Sequence, residues 1–97
     1  MADRQVTSIL KTSGGDILAL CNQDENWARR SKKDAIYDIE NGIHRYYIKI
    51  KNREIAVWID TLLNGKYLVA SEDGSDDNFL LTLSEEVVNH KRIYFQR

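Results

Sequence analysis

Ninety-seven residues, 42% hydrophobic and 30% charged, suit one folded domain over 1–97 and exclude both a disordered chain and a second lobe. Fourteen basic and fifteen acidic residues leave a net charge of −1, which excludes a general affinity for nucleic acid driven by overall charge. The single cysteine, Cys21, excludes an internal disulfide, no apolar run approaches the ~20 residues of a membrane span, and Met1 to Gln5 has no signal-peptide core, so the expected location is cytoplasmic, with no membrane partner.

Proline is absent, so glycine and asparagine must reverse the chain. Val6 to Leu10 and Ile17 to Cys21 are apolar stretches around the turn signal Thr12-Ser13-Gly14-Gly15-Asp16, which predicts a β-hairpin. Asn22 to Arg30 is polar and irregular, with Trp27 as its only large apolar group. Ser31 then stands as an N-cap with Asp34 three residues on. Lys32, Ala35, Ile36 and Ile39 recur at helical spacing and Gly42 stands at C′, which predicts a helix over Lys32 to Asn41.

His44 to Lys51 and Glu54 to Thr61 both alternate apolar and polar, the period of half-buried strands. A turn at Asn52-Arg53 would set Ile50 against Ile55, Ile48 against Val57 and Tyr46 against Ile59. The other face would pair Lys51 with Glu54, Tyr47 with Trp58 and Arg45 with Asp60, two opposite-charge pairs and an aromatic one. Asn64-Gly65 is the next turn signal, returning Lys66 to Ser71 beside the second strand. By parity Leu68 and Ala70 join the core face, and Tyr67 and Val69 the face of Trp58 and Leu62. After the acidic loop Glu72 to Asn78 come a short apolar run, Phe79 to Leu83, a turn of helix from Ser84 through Val87 and Val88, and an edge strand at Ile93 to Phe95. The expected fold is α+β: a twisted antiparallel sheet of about five to six strands in ββαβββ order, with one main helix on one face.

A sheet with one helix leaves part of its second face uncovered. Arg45, Tyr47, Trp58, Asp60, Leu62, Tyr67 and Val69 form that candidate interface. Three occupants are open: the chain's own terminal segments, a second copy, or a partner or ligand. The only concentrated positive charge is at the helix start, where Trp27, Arg29, Arg30, Ser31, Lys32 and Lys33 form a candidate site for an anion or a nucleotide-like ligand. The alternative there is a solvated loop salt-bridged to Asp24, Glu25 and Asp34.

The acidic loop lacks EF-hand spacing and reads as a turn built on Gly74 and Asn78. Cys21 with His44 or His90 has no third orienting group, and two histidines fall short of a zinc set, so neither a metal nor a cofactor is expected. No motif joins a nucleophile, a base and an oxyanion donor.

Lys66-Tyr67-Leu68-Val69-Ala70-Ser71-Glu72-Asp73-Gly74, followed by Asp77-Asn78-Phe79-Leu80 and Leu83, resembles a small bacterial domain-of-unknown-function family with a signature close to YLxTxxDGxxxDNLLxLP. Ser31 to Tyr47 is similar to that family as well. Ala70 stands where the family usually has threonine, and Ser84 where it has proline. The resemblance implies a short bacterial or phage-type protein and supplies no catalytic residue. The expected function is a non-enzymatic interaction module that self-associates through the aromatic sheet face. The alternatives are a binder of a nucleotide-like or phosphorylated small molecule at the helix N-terminus, and a single-stranded nucleic-acid binder using Arg45, Tyr47 and Lys49. Asp60 and Glu54 oppose the last of these.

Overall fold

The computed structural model describes residues 2–72 and 77–85. In chain order they form β1 (Ala2–Gln5), β2 (Ser8–Lys11), β3 (Ile17–Cys21), β4 (Arg30–Ser31), α1 (Lys32–Glu40), β5 (His44–Ile50), β6 (Arg53–Ala56), β7 (Trp58–Leu62), β8 (Gly65–Val69), a 3-10 turn (Phe79–Thr82) and β9 (Ser84–Glu85). This is a small α+β fold with one α-helix and mixed and antiparallel sheets. Among the described residues no helix is long and apolar enough to cross a membrane.

The helix forms for local reasons. The Ser31 hydroxyl accepts a hydrogen bond from the Asp34 backbone N–H at 3.2 Å, capping the first turn. Ala35 is fully buried, and Ile36 and Ile39 pack beside it against the core. Gly42, at φ +66°, turns the chain out of the helix in a conformation that costs glycine nothing. The core that receives this stripe includes Ile9 and Leu20 from the first hairpin, Tyr46 and Ile48 from β5, and Leu68 from β8.

The strands divide into three sheets where one antiparallel sheet is expected: β1-β5-β6, β4-β3-β2-β9 and β7-β8. Two pairings, β1 with β5 and β2 with β9, are parallel. The cause of the division is Val57. Its N–H donates to the Tyr46 carbonyl at 2.8 Å, the last rung of the β5–β6 ladder, and its side chain is buried. Beyond it the chain leaves β5 and runs beside α1 as β7, where Ile59 and Leu68 reach the core. The expected strand Glu54–Thr61 is thus two strands serving two sheets.

The β5–β6 register also differs from expectation, by two residues. Lys51 and Asn52 make the turn, both at positive φ, and the pairs are Ile50 with Arg53, Lys49 with Glu54, Ile48 with Ile55 and Tyr47 with Ala56. A shift of two keeps every side chain on its expected face while changing its partner. Asn52 tolerates the left-handed region that Arg53 would otherwise have to enter, and Lys49 opposite Glu54 preserves a cross-strand charge pair. Tyr47 therefore faces Ala56 and not Trp58. Arg45 is not opposite Asp60: its guanidinium makes two hydrogen bonds to the Asp3 carboxylate, at 3.0 and 2.8 Å.

In the second hairpin the turn is Leu63-Asn64, one residue before the expected position. Leu62 pairs with Gly65, whose φ of +144° completes the reversal. Ser84 lies in β9 beside Ser8. Val87, Val88 and Ile93 to Phe95 lie outside the described residues, as do Asp73 to Asp76 of the acidic loop.

Candidate functional site

The outward face of the β7–β8 hairpin collects five of the candidate interface residues. Trp58 stands opposite Val69 and Asp60 opposite Tyr67, and Leu62 continues the row. Residues opposite one another in an antiparallel pair project to the same face. The inward row, Ile59 and Leu68, belongs to the core, so the outward row cannot also be buried by it. Trp58 is 42% exposed, Leu62 53%, and Leu63 at the tip is completely exposed. The hairpin is tied to the helix by Lys32, whose ammonium lies 4.5 Å from the Tyr67 ring centroid, and by an ion pair between Lys66 and Glu40.

Arg45 and Tyr47 lie on the neighbouring sheet and line a separate pocket. It has a volume of about 410 Å³ and is bounded by the end of α1 (Ile39, Gly42), by His44 and Tyr46, and by Glu54, Ala56 and Val57. Among the described residues, His44 Nδ1 is buried there without a hydrogen-bond partner. Along the chain, Ala56 precedes Trp58 by two residues, so the outward row Glu54, Ala56, Trp58 is continuous from β6 into β7 by parity.

The cationic cluster at the helix start resolves into a structural network. The Arg30 guanidinium donates to both oxygens of Asp38, from Nε and from Nη2, at 2.9 Å each, and also approaches Asp34 at 3.9 Å. Tyr46 donates its hydroxyl proton to Asp38 at 2.6 Å and accepts from Arg4 at 3.0 Å. Trp27 packs edge-on against the Tyr46 ring, with centroids 5.6 Å apart, and the Arg4 guanidinium sits 5.3 Å from the Trp27 centroid. Ser31 is the cap, Lys32 lies over Tyr67, and Arg29 and Lys33 are exposed. Trp27, Arg30, Ser31 and Lys32 thus have partners within the chain, and the main acid is Asp38, outside the set Asp24, Glu25 and Asp34 expected from the sequence.

The electrostatics of the network follow from its geometry. Burial pushes the Asp38 carboxyl upward, but hydrogen bonds from Arg30 and Tyr46 and the guanidinium charge together hold it below the usual carboxylate range. Those Asp38 contacts, working against burial, raise the Arg30 pKa. Burial, then the hydrogen bond to Asp38, raises the Tyr46 phenol above its ordinary value.

Sequence reasoning overlooked Arg4 and the pairing of β1 with β5. Ala2–Gln5 is short and polar and carries no period-2 apolar signal. Asp38 carries a signal that could have been read, since an acid three residues after Ala35 lies on the buried stripe of the helix. Asn78 closes the loop after β8 as the turn reading expects. Its side-chain oxygen accepts from the backbone N–H groups of Ala70 and Leu80, and its amide donates to the Leu68 carbonyl. Among the described residues no group of three or more His, Cys, Asp or Glu is placed to hold a metal ion.

Compared with known proteins, the chain matches no family model, no curated protein and no solved structure.

Proposed function

We propose that this protein is a non-enzymatic interaction module that associates with copies of itself through the outward face of the β7–β8 hairpin. The observation that carries this reading is the exposure of Trp58 and Leu62 on a two-stranded ribbon whose opposite row is committed to the core. An isolated two-stranded ribbon is marginal in water, and a large aromatic on its open face is stabilised by being covered. Aromatic anchors bring large contact area with few rotatable bonds, which suits Trp58 and Tyr67 to the centre of a contact and Asp60 to its rim. Two features favour this over a ligand site at the helix start: the commitment of Arg30 to Asp38, and the use of the Ser31 hydroxyl as a cap.

Light scattering during size-exclusion chromatography tests the proposal. The wild type is expected to run heavier than one chain at tens of micromolar, and Trp58→Ala to run as a monomer with an unchanged circular dichroism spectrum. A monomeric wild type at that concentration removes the proposal.

A further inference from the structure

We propose that Asn64 is a modification site: its side chain closes on the Gly65 backbone nitrogen and converts, without an enzyme, to aspartate and isoaspartate. This goes beyond the self-association reading and does not depend on it.

Asparagine followed by glycine occurs twice in the chain, at Asn41-Gly42 and at Asn64-Gly65, and the fold treats the two differently. At the end of α1 the Asn41 side-chain amide donates to the Tyr37 carbonyl at 2.8 Å, and the Asn41 N–H donates to the same oxygen at 3.1 Å. The Gly42 N–H donates to the Ile39 carbonyl, and the Ile43 N–H to that of Asp38. The side-chain amide, the attacking nitrogen and the next peptide are all held, so Asn41 is kept from closing on Gly42.

The second dipeptide sits at the tip of the β7–β8 hairpin. Every residue from Thr61 to Lys66 is exposed. A Cβ built on Gly65 would meet no heavy atom within 3.9 Å, where it reaches the Tyr67 hydroxyl. That same hydroxyl donates to Asn64 Oδ1 at 3.0 Å. One oxygen thus stands beside both reacting residues and holds the Asn64 carbonyl on the side where Gly65 lies. The Tyr67 ring is itself fixed by the Lys32 ammonium, 4.5 Å from its centroid. The rung pairing Gly65 with Leu62 is the last of the ladder, and the end of a two-stranded ribbon opens at little cost.

The chemistry needs only water. The Gly65 nitrogen loses its proton and attacks Asn64 Cγ, and the Tyr67 hydroxyl stabilises the charge that develops on Oδ1. The bond from Cγ to Nδ2 breaks, ammonia leaves carrying the proton lost by Gly65, and a five-membered imide remains. Water opens that ring at either carbonyl, giving aspartate or isoaspartate. Both add a negative charge at the tip. Isoaspartate also lengthens the main chain by one methylene inside a two-residue turn, where turn length fixes the register of Leu62 with Gly65.

Ageing the full-length chain in mildly alkaline buffer tests this, with peptide mapping by mass spectrometry and enzymatic methylation of isoaspartate. In the folded wild type, aspartate and isoaspartate are expected to build up at Asn64 while Asn41 stays intact. In urea, where the fold releases both dipeptides, the two are expected to convert alike. Tyr67→Phe is expected to slow conversion of the folded chain at Asn64 by about two- to tenfold, the factor that one hydrogen bond is worth. Should that variant misfold, the wild-type comparison of Asn64 with Asn41 decides alone. An Asn64 that converts no faster than Asn41 in the folded chain overturns the proposal. A folded Tyr67→Phe variant that ages like wild type overturns the part given to the hydroxyl.

Discussion

Arg30, just before the first turn of the helix, grips in two-pronged fashion the carboxylate of Asp38, which the far end of the same helix carries inward. The two ends of this contact differ in exposure. The Asp38 side chain is 2% exposed and that of Arg30 33%. Losing one partner of a buried pair strands the other, and the stranded group costs most where water cannot reach it.

The order of two substitutions follows from that asymmetry. Arg30→Ala leaves a buried carboxylate with Tyr46 as its close donor and is expected to cost about 3–4 kcal/mol. Asp38→Asn leaves a guanidinium that can rehydrate and is expected to cost about 2 kcal/mol. Urea unfolding monitored by fluorescence measures both. If Asp38→Asn is the more damaging of the two, the assignment of the buried end is wrong.

Stability should fall at both ends of the pH scale. The folded chain holds Asp38 below its ordinary 3.8, so this contribution is complete above that value and is lost as pH falls through and below it. Tyr46 is held above its ordinary 10.0, so its contribution is complete below that value and is lost as pH rises through and past it. Unfolding midpoints across pH should show a shallower acid limb for Asp38→Asn and a shallower alkaline limb for Tyr46→Phe. Superimposable limbs in wild type and variants would contradict the network.

Asn78 offers a third test. Its amide occupies the outer edge of β8 as a strand would, serving the Leu68 carbonyl and the Ala70 N–H. Asn78→Ala leaves the Ala70 N–H unsatisfied beside a fully buried residue and is expected to cost about 2 kcal/mol. Asn78→Asp retains the two acceptor contacts, sets a charge against the Leu68 carbonyl, and should fall between. Thermal melts rank the three proteins, and an Asn78→Ala variant as stable as wild type refutes the role.

Periodicity made the helix and the facing of the strands readable. Ala35, Ile36 and Ile39 mark the helix stripe, and Ile48, Ile55 and Leu68 all lie inward as their alternation requires. What alternation cannot supply is the partner. A slip of two residues leaves each face intact, so the choice between Ile55 and Val57 as the neighbour of Ile48 falls to the turn, and Lys51 with Asn52 lacks the glycine that would have announced it. The break at Val57 was hidden for the same reason, since Ile55 to Ile59 is one unbroken apolar run whose inward positions Ile55, Val57 and Ile59 keep in step while the backbone changes partners midway. The hairpin face was legible because parity alone defines it. The Arg4–Tyr46–Asp38–Arg30 chain was not, because it joins β1 to β5 across 42 residues with no local pattern to mark it.

Val57 marks the point where the chain passes from one sheet to the next. Its N–H is held by Tyr46, and the Tyr46 hydroxyl is held by Asp38 and Arg4, while the next residue along the chain is Trp58. Tyr46 is thus shared between the backbone entry to the hairpin, held through its carbonyl, and the helix network, held through its hydroxyl, so a truncation at position 46 that spares the backbone separates the two.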